Sequence, residues 1–200
     1  MKRLILIRHG ETQYSKKGQY CGFEDASLNA TGVEQSHRLK QRLRSFKVDK
    51  VYSSDLKRCL DTACIVFGNK VIHKRRGLRE INFGALVGLR YDDLKKEYPE
   101  LYRLWPRSPE KLKMPKGEHM LDFTRRVKRC FNEIARKNRR KVVVIVAHGG
   151  SLRVILLKLL KKTLDKMWEI EQETAAFSVI DFVGGVPKIL KINDTSHLKG

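Results

Sequence analysis

The stretch KVVVIVAHGG, Lys141 to Gly150, decides the fold. Between Val142 and Ala147 it is apolar at odd and even positions alike, the pattern of a central parallel strand covered on both faces. It ends in His148-Gly149-Gly150, and a helical run follows over Leu152–Leu160. The amino terminus repeats the device: RLILIR, Arg3 to Arg8, is a short apolar strand that stops at His9-Gly10. Two histidines thus stand at the carboxyl ends of strands. Open α/β sheets bind ligands there, because helix N-termini and loops converge at that rim.

Working outward, cap-type residues from Asn29 and the spacing of Leu39 and Leu43 predict a helix ending near Phe46. Lys50–Ser53 reads as the second strand, Ser54-Asp55 as the cap of a helix running to about Phe67, and Lys70–Lys74 as the third strand. From Gly77 to about His119 the rhythm breaks. This stretch holds four of the five prolines and short helical pieces such as Tyr91–Glu97, so it reads as an insertion, with a lid over about residues 84–120. Leu121 to about Arg139 is amphipathic, with Phe123, Val127, Phe131 and Ile134 on one side. Ala176–Phe182 and Lys188–Ile192, joined through Val-Gly-Gly-Val-Pro, read as a hairpin at the sheet edge. The expectation is one α/β domain over residues 1–200, a three-layer α/β/α arrangement with a mostly parallel sheet flanked by helices and a small helical lid.

A chain of 200 residues with 41% hydrophobic content can bury a core and is too apolar for intrinsic disorder. No apolar run approaches the roughly 18–20 residues of a membrane span, and the start lacks a secretory pattern. A cytosolic location is expected, with no membrane partner. Cys21, Cys59, Cys64 and Cys130 include no CxxC pair, so neither a zinc site nor a disulfide framework is indicated. The formal net charge of +21 attracts anions of any kind by long-range steering. The basic run around Arg125–Lys141 lacks the aromatic interleaving of a nucleic-acid surface, so nucleic acid is not expected as the main partner. The oligomeric state stays open, a homodimer included.

Chemistry collects after the strands, in Arg8-His9-Gly10-Glu11-Thr12, Ser53-Ser54-Asp55-Leu56-Lys57-Arg58, Arg79-Glu80-Ile81-Asn82-Phe83-Gly84 and Ala147-His148-Gly149-Gly150. Imidazoles, guanidiniums and a carboxylate suit phosphoryl transfer, whose spread negative charge calls for bidentate arginine, histidine donors and free backbone amides. A neutral imidazole is a competent nucleophile. Gly149-Gly150 would let backbone amides approach an anion at a helix start.

These four motifs, in this order, resemble the histidine phosphatase superfamily, in the branch typified by cofactor-dependent phosphoglycerate mutases. The likeness runs from Arg3 to about Arg153. It implies that His9 is the nucleophile and forms a phosphohistidine, that Arg8, Arg58 and His148 bind the phosphoryl oxygens, and that Glu80 is the general acid, for which Glu11 and Glu97 are the alternatives. It implies no metal and no cofactor, and a small phosphorylated substrate. Cys21 and Gly22 fall where the family's substrate loop lies, and Gly149 lies beside the second histidine. Tyr14-Ser15 stands where many relatives have Trp-Asn, so at Ser15 a hydroxyl replaces the amide that commonly contacts phosphate. Phe-Gly-Ala-Leu-Val-Gly replaces the Phe-Gly-x-Trp-Glu-Gly of many phosphatase relatives.

The compact segment from Tyr91 to Met120 resembles the phosphatases more than the longer mutases. The stretch from Gln19 (QYCGFEDASLN) and the ending from Ile192 (INDTSHL) resemble the α-ribazole phosphatase type, which removes a 5′-phosphate during cobalamin nucleotide-loop assembly. A phosphoglycerate mutase and a broad-specificity sugar, nucleotide or phosphoserine phosphatase are the enzyme alternatives.

Overall fold

The computed structural model describes Met1–Lys199. Among these residues six strands form one sheet: β1 (Arg3–Arg8), β2 (Lys50–Ser53), β3 (Ile72–Lys74), β4 (Val142–Ala147), β5 (Phe177–Val183) and β6 (Val186–Asp194). Their order is β3-β2-β4-β1-β5-β6. The first four pair in parallel, while β5 runs antiparallel to β1 and β6 antiparallel to β5. Residues 143–147 of β4 are wholly buried, as the unbroken apolar run requires.

Alternation along β1 sorts the two layers of helices. Ile5 and Ile7 face α2 (Ala30–Leu43) and α3 (Lys57–Phe67), in a core with Leu39, Ala63 and Val144. Leu4 and Leu6 face α6 (Met120–Lys137) and α7 (Gly149–Leu160), with Phe123, Val127, Ile145 and Ile155. Each such aliphatic or aromatic side chain contributes up to about 1.5–3 kcal/mol by leaving water. Asn29 caps α2, its Oδ1 accepting from Gly32 N–H at 2.8 Å.

The boundaries differ from expectation where side chains are recruited elsewhere. Ser54-Asp55 does not cap α3: the helix follows Leu56 without a side-chain cap, because Ser54 turns to His148 and Asp55 to Arg79. Lys57 N–H donates instead to Asp25 Oδ1 at 2.6 Å. α7 begins at Gly149, three residues before the apolar periodicity reveals it. β3 is shorter and β6 longer than read, and α2 stops at Leu43.

The Pro-rich stretch carries more helix than its prolines suggest. After α1 (Gln13–Lys16) near the rim, the lid contains α4 (Leu94–Glu97) and α5 (Pro99–Arg107). Pro99 sits in the first turn of α5, where the missing N–H is not needed.

Candidate active site

Strand register builds the site. Arg8 pairs with Ala147 and Ser53 with Val146, so the next residue of each strand, His9, His148 and Ser54, reaches one rim. His9 N–H donates to the Ala147 carbonyl at 3.0 Å, and Ser54 N–H to that of Val146 at 2.9 Å. The two imidazoles meet edge to face, centroids 5.2 Å apart and planes at 64°. They border a cavity of about 290 Å³ that Arg8, Arg58, Glu80 and Arg153 also line.

His9 Nδ1 lies 2.8 Å from the Gly10 carbonyl. A carbonyl can only accept, so Nδ1 carries the hydrogen and Nε2 keeps the lone pair. Burial, and then the charges of Arg58 and Arg8, hold the His9 pKa well below its ordinary value. Burial, Arg58 and His9 do the same to His148, because a positive ring gains nothing in a dry pocket already walled by cations. His148 Nε2 is 2.9 Å from Ser54 Oγ and 3.4 Å from Cys59 Sγ.

The guanidiniums are fixed by carbonyls rather than carboxylates. Arg58, 1% exposed, donates from Nη1 to Glu24 O (2.7 Å) and from Nη2 to Gly22 O (2.8 Å). Arg8 Nη1 donates to the Gln172 carbonyl. The Nε atoms of both arginines are buried and unpartnered, so each retains a donor and its whole charge, the combination that anion oxygens satisfy. Glu80 closes the opposite side. Its Oε2 accepts from Gly150 N–H at 2.8 Å and its Oε1 from Ile81 N–H at 3.0 Å.

The remaining candidates reach the same cavity wall. Ser15 lines it with its hydroxyl engaged in the cap of α1: Oγ accepts from Thr12 N–H (2.9 Å) and donates to Thr12 O (3.1 Å). Gly22 adopts φ +56°, which glycine tolerates freely, and its carbonyl holds Arg58. Cys21 beside it is half-buried, its thiol pKa pushed up by burial. A Cβ on Gly149 would sit 3.2 Å from Arg153 Nη1. Gly150 leaves room for Glu80, since a Cβ there would collide with that carboxylate. The Gly150 amide that the sequence offers to an anion is thus occupied by Glu80. The alternative Glu11 faces away, accepting from Asn29 Nδ2 at 2.8 Å.

The model of the histidine phosphatase superfamily (branch 1) matches residues 4–195. The chain belongs to that superfamily. Phosphoserine phosphatase 1 of Hydrogenobacter thermophilus is 33% identical over 99% of this chain and 95% of its own. The adenosylcobalamin/alpha-ribazole phosphatase of Salmonella typhimurium is 30% identical over 96% of each. Among solved structures, a phosphoserine phosphatase mutant of Entamoeba histolytica in complex with phosphoserine superposes with a TM-score of 0.89 at 27% identity, covering 99% of this chain and 100% of that one. This histidine phosphatase is, with its phosphatase relatives, a phosphoric monoester hydrolase.

Two parts of this histidine phosphatase site escape sequence reading. Arg153 is largely buried, with Nε donating to the Ile170 carbonyl at 2.8 Å and the guanidinium 5.8 Å from the Trp168 ring centroid. In sequence it is one arginine in a helix, although its position three residues past Gly150 repeats a helical turn and could have placed it on the same rim. The second part is an aromatic wall. Tyr20 packs on Phe83 and Trp105 with centroids 4.6 and 5.2 Å apart, and Trp105 stacks on Trp168 at 5.9 Å. Trp168 Nε1 donates to the Trp105 carbonyl at 2.8 Å. No local motif links residues so far apart in the chain. Among the described residues, no helix is long and apolar enough to cross a membrane, and no group of three or more His, Cys, Asp or Glu is gathered to hold a metal ion.

Proposed function

We propose that this chain is a metal-independent phosphomonoesterase that works through a phosphohistidine on His9, on a small phosphorylated metabolite. His9 Nε2 attacks phosphorus and the phosphorus–oxygen ester bond breaks. Arg8, Arg58 and His148 hold the phosphoryl oxygens, and Glu80 passes its proton to the leaving alkoxide. Water then attacks the phosphohistidine and gives its proton to the Glu80 carboxylate, which releases inorganic phosphate and restores both side chains. The observation that carries this reading is the His9 tautomer, a lone pair on Nε2 beside two arginines that retain unpartnered donors.

As the substrate, α-ribazole 5′-phosphate is the first candidate, with α-ribazole as its leaving group. The wall of Tyr20, Phe83, Trp105 and Trp168 supports a flat, apolar group that can stack, and a relative at 30% identity carries that activity in its name. Phosphoserine is the second reading, favoured by Arg153. Its charge stands beside Arg8 across Gly149, leaving one guanidinium beyond the two at the phosphoryl group to receive a carboxylate. The test is a panel containing both esters and 3-phosphoglycerate, assayed with enzyme dialysed against chelator. Undiminished release of phosphate is expected, with α-ribazole 5′-phosphate the best substrate. Activity that chelation abolishes and added metal restores would refute metal independence.

A further inference from the structure

Among the basic residues of α6, Arg126 alone turns inward onto the loop that carries Glu80. Its Nε and Nη2 form a two-pronged ion pair with Glu118, at 2.9 and 2.8 Å. The other bonds go to backbone: Nη1 donates to the carbonyls of Gly77 (3.2 Å) and Arg79 (3.0 Å), and Nη2 to that of Glu80 itself (3.1 Å). The guanidinium lies 5.7 Å from the ring centroid of Phe23 and 5.3 Å from that of Phe123. Glu118 completes the grip from the far side of Glu80. Its Oε2 accepts from Asn82 N–H at 3.2 Å, and its own N–H donates to Asn82 O at 2.9 Å. One ion pair therefore holds the backbone before, at and after Glu80. Arg126 does not line the cavity that holds His9, so it touches no reacting atom.

We propose that Arg126, steered by Glu118, is the positioning residue that sets Glu80 at proton-transfer distance from the leaving oxygen. The proposal rests on Glu80 acting as the general acid. Glu80 has two handles: the Gly150 amide holds its carboxylate, and Arg126 holds its backbone carbonyl. Proton transfer tolerates little misplacement, and a shift of about 1 Å can cost on the order of 100-fold. A lysine cannot substitute, because one ammonium lacks the planar fork that serves a carboxylate and three carbonyls together.

The experiment compares Arg126→Lys, Glu118→Gln and Glu80→Gln on an alkyl phosphate, which needs a protonated leaving oxygen, and on p-nitrophenyl phosphate, which hardly does. Both clamp variants should lose about 10-fold more kcat/KM on the alkyl ester than on the aryl ester, the same bias as Glu80→Gln at smaller size. A merely structural role lowers both esters together and overturns the proposal, as does no loss at all. Should Arg126→Lys not fold, Glu118→Gln alone decides by the same comparison. If Glu80→Gln itself shows equal losses, the acid assignment falls; if it is selective and the clamp variants are not, only the positioning claim falls.

Discussion

Gly150 shows how closely one residue is tied to the chemistry. Its amide at the start of α7 holds Glu80 Oε2, and the absent side chain leaves the space in which that carboxylate lies. Gly150→Ala should displace Glu80 and reduce kcat/KM for alkyl phosphates by about 10- to 100-fold, with the melting temperature little changed; wild-type kinetics for the variant would contradict this placement. Which residues declare themselves in the sequence follows from the same physics. His9 and His148 are legible because unbroken apolar strands end abruptly in His-Gly. Arg58 and Glu80 are legible through the motifs around them, whereas Arg153 and Arg126 are helical arginines whose inward direction depends on tertiary neighbours. Ser54 and Asp55 are misread for a related reason: cap-type residues have side-chain oxygens that a buried histidine or arginine can recruit instead.

At the level of elements, the ends of β1 and β4 bring His9 and His148 to the rim, α3 adds Arg58, and Trp105 of the lid joins residues of other segments in the aromatic wall. Val142–Ala147 and Arg3–Arg8 are readable because burial on both faces leaves no alternative composition. The lid is not, because its prolines serve as helix starts as well as breaks, and its aromatic contacts join Tyr20, Phe83, Trp105 and Trp168 from four separate segments. Trp168→Ala removes both the indole face and the bond to the Trp105 carbonyl. Stacking of a base on an aromatic ring is worth about 1–3 kcal/mol, so KM for α-ribazole 5′-phosphate should rise about 5- to 150-fold, while KM for a small alkyl phosphate changes less. Equal shifts for the two esters would remove the wall from substrate recognition.

For the whole molecule, the cost of keeping two histidines neutral appears as pH-dependent stability. Burial, reinforced by the charge of Arg58, lowers the His9 and His148 pKa values in the folded state, whereas in the unfolded chain they return to about 6.5. Below that pH the unfolded state takes up protons that the native state refuses, so stability is lost as pH falls. Each of the two should cost about 1 kcal/mol between pH 7 and 5.5, read from urea midpoints. Asp55, Asp181 and Asp194, whose lowered values contribute stability that disappears only in stronger acid, leave this window to the histidines, where His73 and His197, also lowered by burial, add to the loss. Constant or rising stability over it would mean that the rings are not held neutral.

The most direct measurement is to quench turnover in alkali, where a phosphorus–nitrogen bond on imidazole survives, and to locate the phosphate by peptide mass spectrometry. The account predicts acid-labile phosphate on the His9 peptide of the wild-type chain, and neither label nor phosphate release from His9→Ala. Undiminished turnover by His9→Ala, or a label seated on another residue, would contradict it.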